Sequence, residues 1–112
     1  MQLVTAVVRP HMLDTVKEAL TGLGVSGVTV SDVRGFGRQR GHTETYRGAE
    51  YTVDFMPKVK VEILVDDANV AAVAEAIASA GRTGKIGDGK LWVTGVSRIV
   101  RIRTGEEGPE AL

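Results

Sequence analysis

Hydrophobic positions recur along this chain at two spacings, and the places where the spacing changes divide it into elements. Gln2–Val8 and Gly27–Val33 are rich in valine and threonine, as strands are, and they flank Leu13, Val16, Leu20 and Leu23 at helical spacing. This predicts strand, helix, strand. Gly24 is placed to stop the helix, because a residue without Cβ enters the left-handed conformation of a C-terminal cap at little cost. Lys58–Val65 then reads as a strongly apolar strand. Val70, Val73, Ala74 and Ile77 read as the buried stripe of a second helix ending near Gly81, and Leu91–Val96 and Ile99–Arg103 as further strand. The stretch between the halves, "GRQRGHTETYRGAEY" from Gly37 to Tyr51, has neither period and is expected to be a long polar loop. Compact domains keep loops of that length chiefly where they are functional or disordered.

The two helices resemble each other. "VKEALTGLG" from Val16 and "VAEAIASAG" from Val73 share Val, Glu, Ala and the terminal Gly in register. Their offset is about half the chain, which points to a duplicated β-α-β unit and an α+β, ferredoxin-like sandwich. Convergence of two amphipathic helices is the plainer alternative.

Length and composition narrow the classes. A chain of 112 residues is expected to be a single domain, 1–112, able to bury a core without staples. There is no cysteine, so disulfide frameworks and thiolate metal sites are excluded. The apolar run Val4–Val8 is too short for a signal segment, and no stretch approaches membrane-spanning length, so a cytoplasmic protein is expected. Basic and acidic residues balance at 14 each, which argues against attachment to nucleic acid or anionic lipid by the overall field. The balance conceals local basic sites: Arg34, Arg38, Arg40 and Arg47 crowd the centre, and Arg98, Arg101 and Arg103 the end.

The central site coincides with a glycine-rich stretch. "RGFGRQRG", Arg34–Gly41, opens like an RNA-recognition signature, which makes a ferredoxin-like RNA-binding module the alternative reading. It continues into Arg38, Gln39 and Arg40 rather than stacking aromatics, and only 4% of the chain is aromatic. As a dinucleotide fingerprint its spacing is wrong and no helix follows. "RTGKIGDGKLWV", Arg82–Val93, sets Gly84, Gly87 and Gly89 beside Lys85 and Lys90, a composition suited to anion-binding backbone nests. In "RIVRIR", strand alternation would set Arg101 and Arg103 on one face, about 7 Å apart, a spacing suited to several phosphate oxygens. Together these favour a nucleotide triphosphate site over solvated loops. Lys58 follows Pro57 at the start of a buried-looking strand, where a lysine can also simply snorkel to water. His11 and His42 lack ligand partners at metal spacing, and no nucleophile triad or paired carboxylates can be argued. The chemistry on offer is binding rather than catalysis.

"RGFGRQRGHTETYRGAEYTVDFMPKVKVE", "TGKIGDGKLWV" and "RIVRIRTGEEG" resemble the PII nitrogen-signalling family, and the resemblance runs over essentially the whole chain. It implies a ferredoxin-like homotrimer with nucleotide sites between subunits. It also implies a mobile T-loop from Gly37 to about Phe55, a B-loop at Arg82–Lys90 and a C-terminal loop over about 102–112, the last contributed by a neighbouring subunit. Gly35, Gly37, Arg38, Gly87, Asp88, Gly89, Lys90, Arg101 and Arg103 would surround the phosphates of ATP or ADP, with Thr29, Glu62 and Leu64 by the adenine. Gln39 and Lys58 would bind 2-oxoglutarate beside Mg-ATP. Gln39 would be the protein ligand to a magnesium shared with the phosphates and the keto acid.

Arg47 would engage partners and Tyr51 would accept a nucleotide. The implied partners are an ammonium transporter, a nucleotidylyltransferase, and nitrogen-metabolism enzymes or transcription regulators. The membrane would be reached only through the transporter. Arg9 stands where the family often has lysine, Leu91 where it has isoleucine or valine, and Thr45 where an apolar residue is common. Ala49 replaces the serine of phosphorylated members, which excludes that modification.

Overall fold

The computed structural model describes residues 1–36, 42–46, 49–53 and 55–112. Its strands are β1 (Gln2–Val8), β2 (Thr29–Gly35), β3 (His42–Tyr46), β4 (Ala49–Val53), β5 (Met56–Val65) and β6 (Lys90–Gly95), and its helices are α1 (Leu13–Gly22) and α2 (Val70–Gly81). Four strands form one antiparallel sheet in the order β2-β5-β1-β6. β1 lies between the strands that flank α2, and β5 between those that flank α1. The two β-α-β units therefore interlock in the ferredoxin-like manner that the repeated helix implied.

Alternation along the central strands decides which face the helices cover. On β5, Val59, Val61, Ile63 and Val65 are buried, and on β1, Val4, Ala6 and Val8. These meet Val16 and Leu20 of α1 and Val73 and Ile77 of α2 in one core. Full burial of such an aliphatic side chain contributes about 1.5–3 kcal/mol, so this stripe pattern dominates the choice of register. The intervening residues Lys58, Lys60, Glu62 and Leu64 point to the opposite face, which no described helix covers. Rows run across that open face: Thr29, Glu62, Thr5 and Trp92 form one, and Ser31, Lys60, Val7 and Lys90 another.

α1 stops as its glycine requires. Gly24 has φ 83°, its N–H donates to the Thr21 carbonyl at 3.0 Å, and the Val25 N–H donates to the Leu20 carbonyl at 3.1 Å. These two bonds satisfy carbonyls that the helix end leaves open, and Val25 packs back on the core.

Two expectations are corrected. The central polar segment is not wholly irregular, because β3 pairs with β4 in an antiparallel ladder from His42↔Val53 to Tyr46↔Ala49. A two-stranded ladder satisfies its backbone groups locally and needs no apolar face, so hydrophobic alternation gave no sign of it. Conversely, Ile99–Arg103 is not a strand. Only an isolated bridge joins Val100 to Glu107, and the chain turns back through Gly105 at φ 75°, with the Arg101 N–H donating to the Glu106 carbonyl at 2.8 Å. Ile99 is buried but Ile102 is 98% exposed, so the apolar alternation there does not mark a packed face. Among the described residues this segment has no neighbouring strand, and the Arg98–Glu107 and Arg101–Glu106 ion pairs close it on itself.

Candidate functional site

The loop between α2 and β6 passes through three glycines at positive φ: Gly84 (86°), Gly87 (105°) and Gly89 (96°). Such a path is cheap only without Cβ. It is closed by Asp88, which accepts the N–H groups of Thr83 and Gly84 at 2.8 Å each, the Thr83 hydroxyl, and Arg9 Nε at 3.0 Å. Arg9 Nη2 also donates to the Ile86 carbonyl at 2.7 Å. From β5, Lys58 Nζ donates to the Gly87 carbonyl at 2.6 Å. Arg9, just after β1, and Lys58, near the start of β5, thus hold the glycine-rich loop at one end of the two central strands.

Electrostatics follow from these contacts. The Thr83 hydroxyl, then Arg9 and the Thr83 and Gly84 N–H groups, hold the Asp88 carboxyl well below the usual range against the opposing effect of partial burial. Partial burial, followed by the Arg9 charge, lowers the Lys58 ammonium, and Asp88 offsets part of this. A depressed carboxylate contributes stability that is complete above its unfolded pKa and is lost as pH falls through its folded value. The Asp88 closure is therefore expected to persist below the ordinary carboxylate pKa of about 3.9 and to open only in stronger acid. An NMR titration of the Asp88 carboxyl carbon checks this, and a midpoint at the ordinary value would contradict it.

The residues expected around a nucleotide occupy three places in one chain. Gly87, Asp88, Gly89 and Lys90 lie in or just after the loop, next to Lys58. Thr29 and Glu62 are direct partners across β2 and β5, and with Leu64 they line a cleft of about 670 Å³. Glu62 is four residues along β5 from Lys58 on the same face, roughly 13 Å at the rise of a strand. Gly35 ends β2 opposite Met56. Arg101 stands apart, its Nη1 donating to Glu106 at 3.1 Å and its Nη2 to the Leu112 carbonyl at 2.8 Å, and Leu112 borders the cleft. Arg103 is exposed in the turn, so the expected pair of strand-borne guanidiniums does not form.

Gly37, Arg38, Gln39 and Arg47 lie outside the described residues. Tyr51 is in β4, opposite Glu44. Among the described residues no group of three His, Asp or Glu side chains is placed to hold a metal ion. The Asp88 carboxylate is committed to its loop donors, so a hard cation bound beside this loop would have to draw its oxygens from elsewhere, as from phosphate. No described helix is long and apolar enough to cross a membrane.

Sequence reasoning did not assign parts to Arg9 and Thr83. Arg9 carried one signal, its departure from the frequent lysine. Asp88 was placed among the phosphate neighbours, whereas its carboxylate faces the loop's own donors.

A ferredoxin-like sandwich with a glycine-rich, cation-held loop at the end of its central strands defines a small α+β class. Comparison with known proteins is more specific. The family described as nitrogen regulatory protein P-II matches residues 1–106. Proteins of that name from Rhizobium meliloti (strain 1021) and Nostoc punctiforme are each 56% identical to this chain, and one from Azospirillum brasilense is 55% identical. In all three the match covers 112 residues and the full length of both chains. The chain belongs to the P-II family of nitrogen regulatory proteins, a family named for regulation rather than for a reaction.

Proposed function

We propose that the protein is a cytoplasmic nitrogen-signalling sensor that binds ATP or ADP and, beside Mg-ATP, 2-oxoglutarate, and passes their occupancy to partner proteins. The observation that carries this reading is the meeting of Lys58 with the Gly87–Lys90 loop on the open face that also bears Thr29, Glu62 and Leu64. Lys90 would pair with phosphate oxygens and the glycine N–H groups would line them, since charge-assisted bonds contribute about 1.5–3 kcal/mol each. Thr29, Glu62 and Leu64 would hold the adenine. Gly35, Gly37 and Arg38 would complete the phosphate side. Bound magnesium would neutralise phosphate charge and link it to the keto acid, with Gln39 as protein ligand. Lys58 would pair with the distal carboxylate of 2-oxoglutarate.

A homotrimer fits the uncovered sheet face, on which Leu64 and Trp92 are 45% and 46% exposed, and would bring Arg101 and Arg103 to a neighbouring subunit's cleft. The segment 37–55, anchored at the sheet edge through Gly35 and Met56, would be the arm that signals. Gln39 lies at its base, so a ligand bound there favours some arm arrangements over others by its differential affinity for them. Arg47 would enter an ammonium transporter, recruiting the protein to the membrane indirectly, or engage nitrogen-metabolism enzymes or transcription regulators. Tyr51 would receive a nucleotide from a nucleotidylyltransferase, adding charge and bulk that weaken docking.

Calorimetric titration of 2-oxoglutarate into the protein tests the reading. Heat is expected only when Mg-ATP is present, and by linkage 2-oxoglutarate should tighten ATP to the same degree. Equal binding with and without Mg-ATP, or none in either condition, would reject it.

A further inference from the structure

The 82–89 loop is glycine-rich, so its own backbone preference does little to select one path. Asp88 closes it from within, and three contacts from β1, β5 and the residue that follows β1 select its path from outside. One is the close approach of Gly89 to the Val7 carbonyl, where an added Cβ would stand 1.7 Å from the oxygen. Another is the bond from Lys58 to Gly87. The third is Arg9, whose side chain is only 14% exposed and which reaches the loop at two points through two different nitrogens. Through Asp88 it is connected to Thr83 and Gly84 at the loop's start, and through the Ile86 carbonyl to the middle.

We propose that Arg9 is a positioning residue for the nucleotide site: its guanidinium pins the loop at Ile86 and Asp88 and so holds Gly87–Lys90 on the path that receives phosphate. The proposal rests on the nucleotide reading above. Its physical basis is the shape of the guanidinium. Nε and Nη2 diverge in a rigid plane and can serve a carboxylate and a carbonyl at once, whereas a lysine ammonium is a compact charge on a flexible stem. A lysine at this position would retain attraction to Asp88 but would not reproduce the planar two-point hold. Arg9 also pairs with the Asp88 charge, lowering the negative potential of the loop.

The test uses the full chain with variants Arg9→Met and Arg9→Lys, and reads amide hydrogen exchange without nucleotide alongside ATP titration. In Arg9→Met the Thr83 and Gly84 amides should exchange about tenfold faster and ATP affinity should fall about tenfold, the size of one lost charge-assisted hydrogen bond. Amides of Val61 and Ile63 in the sheet centre should be unchanged. Arg9→Lys should fall between the wild type and Arg9→Met in both measurements. In an Asp88→Asn background the added effect of Arg9→Met should shrink, because its charged partner is gone.

Unchanged loop exchange and ATP affinity in Arg9→Met would overturn the proposal, as would faster exchange spread equally over the sheet centre, which marks a general loss of stability. A wild-type protein that binds no ATP would overturn the nucleotide reading and the purpose assigned to Arg9. Loop exchange in the nucleotide-free variants would still report separately on whether Arg9 pins the loop.

Discussion

Replacing Gly89 by alanine is expected to destabilise the protein by about 3 kcal/mol, the upper end for backbone strain or overpacking taken singly. Gly89 has φ 96°, and a Cβ there would lie 1.7 Å from the Val7 carbonyl oxygen and 2.8 Å from its carbon. Those neighbours are backbone atoms of a central strand. They cannot rotate aside as a side chain would, because Val7 is paired on both sides, with Lys60 and Lys90. The loop must therefore leave β1 or the ladder must break. Gly84→Ala supplies the control: its φ is 86°, but nothing lies within 4 Å of an added Cβ, so only conformational strain of about 1 kcal/mol applies. Urea unfolding separates the two, and equal midpoints would contradict the close approach at Val7.

A Lys58→Ala variant is expected to lose 2-oxoglutarate affinity by more than about a hundredfold, as follows when a carboxylate in a partly desolvated site loses its cation. Pairing with a carboxylate alone would leave ATP binding unaffected. The 2.6 Å bond from Lys58 to the Gly87 carbonyl changes this, because the same ammonium also steadies the loop assigned to phosphate. ATP affinity should fall too, by less than about tenfold, the effect of one hydrogen bond in a loop that keeps its other anchors. Calorimetry with each ligand measures both losses, and equal losses would contradict separate roles for Lys58.

Much of the fold was legible because its signals are local and periodic. Val59, Val61, Ile63 and Val65 alternate with Lys58, Lys60, Glu62 and Leu64 over an unbroken strand, and a period of two admits one reading of which face is buried. The repeated helix pattern likewise led to the interlocked β-α-β units, since each helix needs a sheet face to cover its stripe. The same reasoning failed at Val100 and Ile102, where apolar alternation stands in a turn and ion pairs shape the path. It also failed at β3 and β4, whose pairing rests on backbone hydrogen bonds that any polar sequence can make.

The candidate site was legible as a collection of residues, through glycine spacing, nearby lysines and a resemblance covering the chain. The sequence by itself determined the helix and strand periods, the stop at Gly24, the family, and the presence of a flexible-backbone loop beside cations. Tertiary structure alone decided that Arg9, 79 positions from Asp88, is its partner, that Lys58 meets Gly87, and that Gly89 lies against Val7. The reason is physical: periodicity reports how each segment buries its own apolar face. A polar contact between distant segments depends on strand order and register, which exist only once the two β-α-β units have interlocked.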